Sequence, residues 1–206
     1  MDFKVLLGFI ATGLAIISYI PYIRDMRRGQ TKPHAFSWLI WAVITYIAGT
    51  AQLTSGGGWG SMVAFTTGTI SAWIAYYSFR HRAVAITKSD WISLIVAFAA
   101  IPLWIITKQP LLSVIIISII DLVAFWITIR KTYNMPYSEN MAQNLMSTLK
   151  HVLTITAQQQ YSWTTLLYPA SLAVTTAGFC IMIIVRRVQV GPPAPSKAET
   201  TDVLPG

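Results

Sequence analysis

The chain alternates long apolar runs with short polar breaks. Seven runs stand out, at about 4–23, 35–54, 59–79, 91–107, 110–130, 141–160 and 161–186. Each is close to the ~20 residues, range ~17–25, that a helix needs to cross the hydrocarbon core of a bilayer. The predicted fold class is therefore all-α: a polytopic membrane protein with seven transmembrane helices and short connections that leave no room for a soluble domain.

Composition supports this. Of the 206 residues, 54% are hydrophobic and only 11% charged, against about 25% charged in a soluble domain. Much of the surface is thus expected to face lipid rather than water. The first run is long and has no small-residue cleavage site after it, so it reads as a span and not a cleaved leader. The one cysteine, Cys180, lies inside an apolar run and reads as a small packing residue; no disulfide framework exists. The tail "VGPPAPSKAETTDVLPG" is rich in Pro, Ala and Thr and is expected to be disordered.

A net charge of +8 would suit a nucleic-acid partner, but its distribution does not. Numbering the loops alternately, one face receives Arg24, Arg27, Arg28, Lys32, Arg80, Arg82, Lys88, Arg130, Lys131, Arg186, Arg187 and Lys197. The other receives Lys4 and Lys108, so the split is 12 to 2, with Lys150 inside a span. The positive-inside rule then puts the N-terminus outside and the C-terminus in the cytoplasm. An odd number of spans follows, because an even count would scatter these cations over both faces. Their simplest reading is topology rather than ligand binding.

The two halves match at an offset of about 104–107. "YIPYIRD" (19–25) lies over "FWITIRK" (125–131), so Arg24 falls on Arg130, and Trp59 and Trp163 open the third span of each half. The domain plan is a first triple-helix repeat (1–82), a linker helix (83–109), a second triple-helix repeat (110–187) and a disordered cytoplasmic tail (188–206). An odd linker helix makes the two triplets parallel, a known transporter design with the site between repeats near mid-membrane.

This plan, with "SYIPYIRDMRRGQTKPHAFSW", resembles the SWEET / PQ-loop superfamily of membrane transporters over roughly residues 4–187. The resemblance implies 3+1+3 topology, an outside N-terminus and alternating access along a central path. The superfamily's Pro-Gln pair reads Pro21-Tyr22 in the first copy and Ile127-Thr128 in the second. Neither third helix has the asparagine that the sugar carriers use there. The fold is therefore carried over, but sugar as the substrate is not.

Asp121 is the residue that an apolar run explains least. Nine residues above Arg130 it sits ~14 Å from the cytoplasmic boundary, near the middle of a ~30 Å slab. A charge there costs at least ~2.5 kcal/mol and needs a partner. The sixth run supplies one. Gln143, Ser147, Lys150, Thr154 and Gln158 share one helical face, and Asn144, Thr148 and His151 form the adjoining stripe. Helices five and six run in opposite directions, so Asp121, Lys150 and His151 are expected to meet at one depth. Two readings stand. The pair is internal glue that fixes helix register, or the sixth helix lines a wet path and the cluster binds substrate or a proton. A polar stripe that nearly crosses the membrane favours the second.

The candidate substrate-binding residues are Asp121, Lys150, His151, Asn144, Ser147 and Thr154, together with Thr69 and Trp73 on the third helix. That helix places Thr66, Thr69, Trp73 and Tyr76 on one face, as a stacking platform or as ordinary helix packing. Tyr19, Pro21 and Tyr22 are a candidate hinge and cytoplasmic gate. Trp38 and Trp41 read as an interfacial aromatic belt or as a ligand clamp. Pro102 and Pro169 are further interruptions, hinges or fixed bends.

No Cys/His metal spacing, glycine-rich phosphate loop or convincing Ser-His-Asp set is present, so no enzyme, cofactor or metal is expected. "TSGGGWG" (54–60) reads as a short external turn. The expected function is a small-solute carrier working by alternating access, with a coupled proton compatible with the same cluster. Its setting would be the plasma membrane of a prokaryote. The expected partners are a small polar solute and the lipid bilayer, with no nucleic acid; a homo-oligomer is left open. The alternative is a non-transporting PQ-loop-like receptor or a structural membrane protein.

Overall fold

Each apolar run folds as one α-helix. The computed structural model describes residues 2–29, 33, 35–81, 88–137, 139 and 141–191. The helices are α1 (Phe3–Arg27), α2 (Ala35–Thr54), α3 (Met62–His81), α4 (Lys88–Thr107), α5 (Pro110–Asn134), α6 (Met141–Ala157) and α7 (Trp163–Val190), and a 3-10 turn at Gly58–Ser61 precedes α3. No strand occurs among the described residues.

Local chemistry sets several helix ends. The Asp2 carboxylate accepts from the Lys4 amide at the start of α1. Pro110 opens α5, where its missing N–H costs nothing. Ser162 and Thr165 cap α7 reciprocally. Helix α2 stops at Gly56, which takes φ 80°, while the Gly57 amide reaches back to the Gln52 carbonyl at 2.7 Å. This is the glycine stop that a left-handed residue permits. Helix α7 continues through Val190 and ends on Gly191. Residues 188–190, expected in the tail, are thus helical; 192–206 lie outside the described residues, as does Arg82.

The helices pack in matched pairs. Helix α3 lies against α1 and α2, and α7 lies against α5 and α6. Across the molecule α1 meets α6 and α2 meets α5. These six pairings are unchanged when the first three helices are exchanged for the last three. Helix α4 leans on α2 and α5.

Polarity is inverted relative to a water-soluble protein. Val174 and Val188 are 73% and 79% exposed, whereas Gln158 and Thr165 are fully buried. Phe3, Ile16, Ile95, Ile106, Val123 and Ile181 also point outward. Exposed apolar surface on this scale suits lipid. Among the described residues, α1, α2 and α7 are long and apolar enough to cross a membrane, and Pro110–Val123 is a shorter apolar stretch. The apolar interior is divided among three clusters. One joins α2, α5 and α7 around Ile44, Ile117 and Tyr168. A second joins α1, α2 and α3 around Met26, Trp38 and Ile74. The third, Ala11, Ala15 and Val63 with Leu153 beside them, lets α1 approach α3 and α6 closely.

Candidate functional site

The buried charges meet where the two triplets face each other. Asp121 on α5 and Lys150 and His151 on α6 are all buried. Asp121 and Lys150 lie close enough to interact electrostatically, as do Lys150 and His151. They do not touch: no carboxylate oxygen is within 4.0 Å of the Lys150 ammonium. Each charge has a neutral neighbour instead. The Trp41 indole of α2 faces Asp121 without a formed hydrogen bond. The Lys150 Nζ sits 5.8 Å from the centre of the Tyr19 ring of α1, within cation–π range. Tyr168 of α7 faces both Asp121 and Tyr19. The Tyr19 hydroxyl faces Ser71 Oγ on α3, too loosely for a formed hydrogen bond, so that buried Ser71 hydroxyl has no partner. Among the described residues, six of the seven helices thus contribute to one cluster, all but α4.

A cavity of about 30 Å³ adjoins the cluster, room for one water. His151 and Tyr168 are shared with the cluster, and Thr45, Gln52, Thr67 and Thr154 supply its other polar walls. The Thr45 and Thr154 hydroxyls donate to their own helices, at 2.7 Å to the Trp41 and Lys150 carbonyls respectively. Their lone pairs remain to accept.

Side chains pack together on both sides of the cluster. Toward the end where Arg24 lies, the Trp38 indole donates to the Tyr22 hydroxyl at 3.1 Å, and its ring packs 5.0 Å from Tyr22 and 5.1 Å from Trp41. At the opposite end the α2–α3 and α6–α7 turns are joined: Gln158 Nε2 donates to Gln52 Oε1 at 3.0 Å.

Compared with known proteins, the chain matches no family model, no curated protein and no solved structure. The chemistry of the site therefore rests on its own residues.

Asp121, Lys150, His151 and Thr154, expected together from spacing, are brought together. Asn144 and Ser147 are half-buried nearer the Met141 end of α6, and Thr148 bridges from the Asn144 carbonyl to Thr176 of α7 at 3.0 Å each. Thr69 and Trp73 do not join the cluster. Helix α3 turns Thr67, Ser71, Ile74 and Ser78 inward at spacings of 4, 3 and 4, which leaves Thr69 and Trp73 on its exposed face. Thr69 bonds the Tyr46 hydroxyl there at 2.8 Å, and Trp73 packs 5.9 Å from Tyr77. Trp38 is 7% exposed and packed against α1, which excludes it from a lipid-facing belt. Tyr19 and Tyr22 both lie in the aromatic group around it. Arg186 and Arg187 have a structural use beyond topology. They donate to the carbonyls of Tyr133, Pro136 and Glu139 and pin the α5–α6 loop.

Spacing did not single out Tyr168, Ser71 and Gln52, and it read Trp41 as part of an interfacial belt or a ligand clamp without linking it to Asp121. Gln52 carried a usable signal: it lies 106 positions before Gln158, the repeat offset itself.

Proposed function

We propose that this chain is a carrier of the SWEET / PQ-loop type, with seven spans in a 3+1+3 plan, that moves a small polar solute across a lipid bilayer by alternating access between its triplets. The orientation follows the 12-to-2 split of loop cations, with the N-terminus outside the plasma membrane. The observation that carries the reading is the separated pair. A buried carboxylate and a buried ammonium share one mid-bundle space without contact. Glue would bring them together, because attraction offsets desolvation only at close range with good geometry. A gap with Trp41, Tyr19 and a polar cavity around it suits a solute that donates to Asp121 and accepts from Lys150. The exchangeable helix pairings support the two-repeat plan, and the side-chain packing on both sides of the cluster suits an occluded state of a carrier.

The test is thermal shift of the purified protein against classes of small polar metabolites, followed by counterflow of any stabilising compound in proteoliposomes. Mass action predicts ~2.7 kcal/mol of stabilisation at a ligand concentration a hundredfold above its Kd. A compound that stabilises the protein and exchanges across the bilayer supports the carrier. One that binds without any exchange replaces it with a receptor.

A further inference from the structure

The "TSGGGWG" turn has more to do than connect α2 to α3. It is fitted against "QQQ" of the α6–α7 turn, the equivalent position in the second triplet. The Gln159 and Gln160 amides donate to the Gly57 and Gly56 carbonyls, both at 3.1 Å. The Gln52–Gln158 side-chain bond lies beneath them, with both side chains almost wholly buried. Lys4 adds α1 to the assembly: its Nζ donates to the Gln159 carbonyl at 3.2 Å and stands 4.2 Å over the Tyr161 ring.

The glycines make this fit. A Cβ on Gly60 would come within 2.9 Å of the Gln158 amide nitrogen, and one on Gly57 would collide with Gln158 Oε1. Only bare backbone lets the two turns close over Gln158. Closure also leaves a defect, since Gln158 Oε1 is buried with no hydrogen-bond partner among the described residues. An orphaned carbonyl raises the energy of the closed state relative to one in which water reaches it. Gln52 lines the cavity directly below.

We propose that the two turns form a latch across the ends of the triplets, held by Gln52–Gln158 and the Gly56/Gly57–Gln159/Gln160 bonds, whose opening admits solute to the central cavity from the face that carries Tyr161. The latch rests on the carrier reading for its purpose, but its opening is measurable without flux. Among the described residues, the bonds that cross between the triplets at this end are two backbone bonds, the Gln52–Gln158 side-chain bond and the Lys4–Gln159 bond, whose donor is charged. A latch of this kind opens as a unit and leaves each helix intact. The orphaned oxygen biases it toward release, and a bound solute that favours closure would tip it back.

The experiment places a reporter cysteine in the cavity wall, Thr67→Cys, in a Cys180→Ala background. Labelling by a membrane-impermeant thiol reagent is followed from the Tyr161 face. Gln158→Ala is expected to raise the labelling rate about fivefold, the shift that the loss of one net hydrogen bond produces. An unchanged rate overturns the latch. A second pair guards against misfolding. A Cβ on Gly56 would lie 3.2 Å from the Gln160 Cβ, within a few tenths of an ångström of disulfide range. Oxidised Gly56→Cys/Gln160→Cys should block the access of a membrane-impermeant amine reagent to Lys150, and reduction should restore it. Equal access in both redox states overturns the proposal. If access follows the latch while no solute ever exchanges across proteoliposomes, the latch stands and the carrier reading fails.

Discussion

Removing the charges of the central pair one at a time and then together separates a binding site from internal glue. Asp121 and Lys150 are both buried, and no N–O distance between them falls within 4.0 Å. At that distance and an effective dielectric of about 20, two unit charges attract by ~4 kcal/mol; these two, farther apart, must attract by less. A contact pair would lose ~3–5 kcal/mol when one member is removed. Asp121→Asn keeps the shape and an oxygen facing Trp41, and Lys150→Met keeps the packing of the stem. Each single change should therefore cost ~1–3 kcal/mol, and the double-mutant cycle should return a coupling energy of about 1–2 kcal/mol, a fraction of that ceiling. Denaturant unfolding in detergent measures the stabilities, and counterflow in proteoliposomes measures function. The double mutant is expected to cost about 2–3 kcal/mol, less than the sum of the two singles, so that it still folds, and to move no solute. A double mutant with parental counterflow would show that neither charge touches solute, and the pair would be structural after all.

Cysteines at Tyr161 and Lys108 should react with impermeant reagents in intact cells, and one at Lys88 should react only after permeabilisation; the opposite pattern would reverse the orientation. Trp38→Phe removes the donor to the Tyr22 hydroxyl at 3.1 Å and should cost about 1 kcal/mol of stability of the closed Arg24 end. The readout is a rise in labelling from that face, and no rise would remove Tyr22 and Trp38 from the gate. Pro21→Ala should lower turnover with little change in ligand-induced thermal shift, whereas an equal loss of both would make Pro21 a fixed bend. Gly60→Ala should destabilise the protein by ~1–3 kcal/mol through overpacking against Gln158, measured by its melting temperature, and a neutral result would mean that the turns close more loosely than 2.9 Å.

What could be read from sequence divides along one physical line. Apolar length is local, so the run at 35–54 became α2 at the same limits, while α1, α5 and α7 outran theirs by several residues into their basic ends. Lysine and arginine tolerate the last turn because the helix dipole and exposed carbonyls favour them there. Periodicity is local too, which is why Lys150, His151 and Thr154 fell on one face of a helix whose neighbours were unknown. Helix rotation is not local. Two opposite faces of α3 carry hydroxyls at helical spacing, Thr66 and Thr69 on one and Thr67 and Ser71 on the other, and only contact with α1 and α2 decides which turns inward. Trp38 and Trp41 posed the same ambiguity, since an interfacial ring and a buried donor look alike until something is packed against them. The repeat offset could have resolved part of it. Gln52 and Gln158, which stand at the repeat offset, meet at 3.0 Å. Pairs of polar residues at the repeat offset are therefore the places in such a chain where sequence alone can predict a long-range contact.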